Sequence, residues 1–128
     1  MAVQIQSIGD IEHYQGEHAI PGIRFRPARQ AMGVSAWGMN VIEFDPWCDG
    51  YPEHGHGQDG QEEVYVVLDG AITLVADGEE HELRRGDMAR VGPETRRKLV
   101  TRDEPAAVLA VGATPGRAYG PDRRLATE

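Results

Sequence analysis

The sequence predicts an all-β fold, a sandwich or closed barrel, and three observations carry that expectation. Apolar runs are short and recur at regular spacing between Gly, Pro and Asp turn signals. No segment of about a dozen residues keeps a helical period. Finally, 16 Gly and 8 Pro in 128 residues cut the chain into many short elements.

Residues 1–20 are mixed and polar, with a short alternating run at Val3 and Ile5 that reads as an edge strand. Ile23 and Phe25 alternate with Arg24 and Arg26, a half-buried strand stopped by Pro27. Residues 34–44 read as a longer strand, in which Trp37, Met39 and Val41 share one face, for the cavity mouth or, by default, for core or dimer packing. Asp45-Pro46 ends it, and a loop rich in Gly and His runs to position 61. Glu63 to Leu68 is the clearest strand, rich in β-formers and apolar on both faces. Asp69-Gly70 predicts a hairpin with a returning strand over 71–76, and Asp77-Gly78 a second hairpin into 80–83. Met88 to Val91, 97–101 and 106–111 complete a set of eight or more strands. The tail from Pro115 is charged and is expected to lie over the surface or fray.

A chain of this length forms one domain, here 1–128, and buries about two-thirds of its unfolded surface. A net charge of −8 argues against nucleic acid and anionic membranes as partners. Cys48 is the only cysteine, so no internal disulfide forms and a reducing, cytoplasmic setting fits. The first residues lack a basic region followed by an apolar run, and no stretch is long and apolar enough to span a bilayer.

His54-Gly55-His56 places two imidazoles on one side of an extended strand, with backbones about 7 Å apart. Glu63 returns on the next strand, so a two-histidine, one-carboxylate face can form. Such a face suits Fe(II), with Mn, Ni, Co or Zn as competitors. The alternative is a pair of solvated loop histidines.

This stretch resembles the first signature motif of the cupin superfamily: Gly, His-x-His, Glu, six residues, Gly. His54, His56, Glu63 and Gly70 match it, while Gly50 lies closer to His54 than usual and the spacer between His56 and Glu63 is about two residues longer. The second motif begins at Gly86-Asp87 and continues through Gly92-Pro93, but its histidine position falls on Arg97. The resemblance implies a cupin jelly-roll (double-stranded β-helix) barrel over about 34–112, with N-terminal strands (1–30) and the tail (113–128) packed on it. It also implies a homodimer and a small-molecule ligand, with His54, His56 and Glu63 as metal ligands or former ligands.

Arg97 leaves three arrangements open: its side chain bends to solvent, it pairs with Glu63 in place of a metal, or position 97 faces outward. A guanidinium about 5 Å from a divalent ion costs roughly 6 kcal/mol at an effective dielectric of 20. Facing inward, Arg97 suits capture of a small carboxylate or phosphate. Tyr65 shares strand parity with Glu63 and is a candidate pocket wall and proton donor; barrel packing is its ordinary role. Two function classes follow. One is a metal-dependent oxygenase or isomerase acting on a small oxygenated compound. The other is a metal-free cupin that binds a small anionic or sugar-like ligand through Arg97 without catalysis. Acid–base catalysis by His54 or His56 with Tyr65, without metal, stands behind both. His13, His18 and His81 read as isolated surface residues.

Overall fold

Alternation and turn chemistry produce seven antiparallel strands among the described residues, 3–119, of a computed structural model. In chain order these are β1 (Ile23–Arg26), β2 (Gly38–Phe44), β3 (Glu62–Ala76), β4 (Glu79–Arg84), β5 (Met88–Val91), β6 (Arg97–Val100) and β7 (Ala106–Ala113). A short helix, α1 (Ala28–Met32), follows Pro27 and ends at Gly33, whose left-handed φ of 68° closes the last turn. One turn of helix is too short to show a period, so the sequence reading passed over it. Val3 and Ile5 are exposed and form no strand, and the runs on either side of Asp69-Gly70 are one strand, so the nine candidate runs become seven strands. Of the tail, residues 120–128 lie outside the described region.

The expected hairpin at Asp69-Gly70 is absent. β3 runs on through it as one strand of 15 residues and passes from one half of the barrel to the other. Its first half pairs with β7 on one side and β5 on the other, and its second half pairs with β4 and β6. With both edges of 63–66 already occupied, a returning strand would have no edge to join. The turn signal was real but serves a bend: a bulge lies between Val67 and Asp69, and Gly70 takes φ 75°. Asp77-Gly78 does form the second hairpin, with both residues at positive φ as a two-residue turn requires.

A Cβ at position 70 would lie 1.9 Å from the Pro105 carbonyl oxygen. Gly70→Ala is therefore expected to cost about 2–4 kcal/mol, from the clash and the left-handed φ together. The measurement is a lowered denaturant midpoint at unchanged slope; a wild-type midpoint would show that residue 70 relaxes out of this conformation.

The main core fills the space between the two halves, where Phe44, Tyr65, Leu99 and Val108 have no exposed surface. A second cluster, Ile11, Ala28 and Val41 with Met39 and Leu109, covers the outer face of β2 and β7 beneath α1. No described helix is long and apolar enough to cross a membrane.

Candidate metal centre

His54, His56 and Glu63 converge, each offering one ligand atom, and those atoms lie within 4.8 Å of one another. The strands arrange this. His54 exchanges two backbone hydrogen bonds with Arg97 on β6, and the His56 N–H donates to the Pro93 carbonyl. Glu63 sits on β3 opposite Gly112 of β7. A side chain at 112 would approach the Gln61 amide oxygen and the Glu63 stem, so glycine leaves room for the carboxylate.

Both imidazoles are oriented from behind. His54 Nδ1 lies 3.1 Å from the Pro52 carbonyl oxygen, and His56 Nδ1 lies 3.1 and 3.2 Å from the two Asp59 carboxylate oxygens. Acceptors at Nδ1 hold the proton there and turn the Nε2 lone pair inward. Each Nε2 stands 3.8 Å from Glu63 Oε1, and His56 Nε2 is buried without a hydrogen-bond partner. Burial pushes the His54 pKa below the ordinary histidine range, against the Pro52 carbonyl and the Glu63 charge, which favour the proton. Two lone pairs and a carboxylate oxygen facing one another fit a divalent cation.

Glu63 has two further neighbours. The Tyr65 hydroxyl donates to Oε1 at 2.6 Å, and the Tyr51 hydroxyl stands 3.4 Å from that of Tyr65. Burial first, then the surrounding Tyr51 and Glu63, pushes the Tyr65 pKa well above its usual value, so the phenol keeps its proton. Arg97 faces inward, since it shares strand parity with buried Leu99 on β6, and it is 0% exposed. Its Nη2 donates to the Gly92 carbonyl at 2.7 Å, while Nη1 lies 3.6 Å from Glu63 Oε1. Position 97 is thus neither turned outward nor bent to solvent.

A cavity of about 340 Å³ opens in front of the histidines. Tyr51, His54, His56, Gln61 and Glu63 line its inner end, and Ile20, Ile23, Phe25, Ile42 and Ala110 its sides. Neither Arg97 nor Tyr65 lines it; both lie on the far side of the carboxylate. Among the described residues, no Lys or Arg lines it at all.

Sequence reasoning missed several participants. Asp59 falls in the long spacer after His56, where its carboxylate also accepts from the Gln61 backbone and side-chain amides. The extra residues of that spacer therefore build the support of His56. On β2 the cavity takes Gly38, Asn40 and Ile42, while Met39 and Val41 pack under α1, so the inward parity is the even one. His18, read as an isolated surface residue, is exposed but stands at the cavity lining, as does Tyr119 from the tail.

The family described as Cupin domain matches residues 40–112 of the chain. Among solved structures, the chain is similar to a sugar phosphate isomerase from a cupin superfamily, from Silicibacter pomeroyi, at 27% identity and TM-score 0.72, covering 88% of this chain and 77% of that one. It is similar to the polyketide cyclase RemF from Streptomyces resistomycificus at 16% identity and TM-score 0.72, covering 94% and 87%. A predicted oxalate decarboxylase from Thermotoga maritima shares the barrel at 16% identity and TM-score 0.69, covering 87% and 99%. No curated protein matches in sequence. At 16% identity the likeness is one of fold. The family match spans more than half of the 128 residues: the chain belongs to the cupin family.

Proposed function

We propose that the protein is a divalent-metal cupin in which His54, His56 and Glu63 hold the ion at the inner end of the cavity. On this reading it acts on a small oxygenated compound, as an oxygenase or isomerase. One observation carries it: both imidazoles are pinned at Nδ1 and aim Nε2 at the Glu63 carboxylate, with His56 Nε2 buried and unbonded. When bound, the metal supplies Lewis-acid polarisation of a coordinated oxygen.

The chain's own residues do the rest. Tyr65 fixes the Glu63 carboxylate through its hydroxyl, and Arg97 places a positive charge behind the same oxygen. Tyr51 lines the cavity and stands next to Tyr65, so its hydroxyl is placed to hydrogen-bond an oxygen of a bound compound. The metal-free anion binder finds less support, because the guanidinium it needs lies behind the carboxylate and away from the cavity. A homodimer in a reducing cytoplasm belongs to the same proposal, supported by the exposed apolar side chains of Val3, Ile5 and Trp37 and by the single thiol.

Elemental analysis of untagged protein, followed by titration with Fe(II), Mn, Ni and Zn, tests the metal. Stoichiometric binding is expected, and an ion at a hundred times its Kd should add about 2.7 kcal/mol of stability. Asp59→Ala, which leaves every ligand in place, should weaken binding by about 10–100-fold through His56 orientation. Sub-stoichiometric metal with no stabilisation by any ion would sink the reading.

A further inference from the structure

The two ends of the cavity differ in chemistry, and the difference bears on what enters it. The inner end presents His54, His56 and Glu63, which meet oxygen substituents whether directly or through an ion. Ile20, Ile23, Phe25, Ile42 and Ala110 give the lining a continuous apolar part, with the Tyr51 ring tilted at 5.9 Å from Phe44 and 5.7 Å from His54, while Tyr14, His18, Asn40 and Tyr119 also line the cavity. Those polar groups can meet some hydroxyls of a sugar, but each hydroxyl laid against Ile20, Ile23, Phe25, Ile42 or Ala110 would lose its partner, a costly transfer.

Charge excludes a second class. Two carboxylates, Glu53 and Glu63, line the cavity, and no described Lys or Arg does. The guanidiniums near the lining residues are engaged elsewhere: Arg96 pairs with Glu53 at 3.6 Å, Arg29 stands over the Tyr119 ring, and Arg97 is sealed behind Glu63. The protein therefore offers a phosphate or free carboxylate no lining guanidinium or ammonium to pair with.

We propose that the cavity takes a neutral one- or two-ring compound carrying two adjacent oxygens, such as an ortho-hydroxy carbonyl, with the oxygens at His54 and His56 and the ring between Phe25, Ile42 and Tyr51. The volume of about 340 Å³ suits that size. This rests on the proposed reading that the histidine end is the working end, but it does not require the ion: the walls select the ring in either state.

Calorimetric titration of the wild-type protein, as purified and after chelator treatment, tests it with four probes: salicylamide, hydroxynaphthamide, glucose and glycerol phosphate. Hydroxynaphthamide should bind about tenfold tighter than salicylamide, since a second ring buries more apolar surface. Both should bind at least about tenfold tighter than glucose or glycerol phosphate, in both preparations. Ile20→Arg, at a half-exposed lining position, should reverse the order by weakening the ring compounds and admitting glycerol phosphate. Wild-type protein that prefers glycerol phosphate or glucose, or that binds neither ring compound, overturns the proposal. Ring binding by protein that holds no metal as purified and takes up none of Fe(II), Mn, Ni or Zn on titration would sink the metal reading alone.

Discussion

Arg97→His is expected to tighten divalent metal binding by about a hundredfold. The guanidinium is fully buried with Nη1 3.6 Å from Glu63 Oε1, so an ion on that oxygen sits within a few ångströms of a fixed positive charge. At an effective dielectric of 20, a unit charge about 5 Å from a divalent ion costs roughly 6 kcal/mol. If relaxation recovers half, about 3 kcal/mol remains, on the order of a hundredfold in Kd. Histidine also adds a fourth donor on the strand position that faces the site. Arg97→Met separates the two contributions, because it removes the charge without adding a ligand and should fall between wild type and Arg97→His. Competition against a chromophoric chelator for Zn and Ni measures all three proteins. Equal affinities would mean that the guanidinium does not oppose the ion.

Half of what motivates this substitution is legible in the sequence. His54, His56, Glu63 and Gly70 obey local rules of strand parity and spacing, and local rules can be read from sequence. The inward direction of Arg97 is implicit in its shared parity with Leu99, but one slip of register would reverse it, so only strand pairing decides. Asp59 could not be read, because its grip on His56 depends on how a loop closes. Asp69-Gly70 was misread for a related cause. Its residues fix a positive φ at position 70, yet whether the chain reverses or bends there depends on whether neighbouring edges are free, and β5 and β7 hold both. The cavity's lack of lining cations is likewise a property of the assembled walls. Thirteen Lys and Arg in the sequence say nothing of it.

Glu63→Gln is expected to remove metal binding and to destabilise the protein, by two routes that can be separated. The substitution keeps the shape and an oxygen that can accept from Tyr65, but it takes away the carboxylate facing Arg97. Arg97 then retains one good hydrogen bond, to the Gly92 carbonyl, while Nε and Nη1 are buried and unbonded. Leaving a buried charge without its counter-ion costs about 3 kcal/mol, the low end of the range because the contact is 3.6 Å long and Glu63 is 14% exposed. For a domain of this size that lowers Tm by about 10 °C. Glu63→Gln combined with Arg97→Met should recover most of the lost stability, since no buried charge is left unpaired, yet metal should still fail to bind for want of the anionic ligand. Thermal unfolding and metal titration on the two single variants and the double variant form a closed cycle. If Glu63→Gln unfolds at the wild-type temperature, Glu63 does not balance the buried guanidinium. If the double variant binds metal as wild type does, the ion is not held through Glu63.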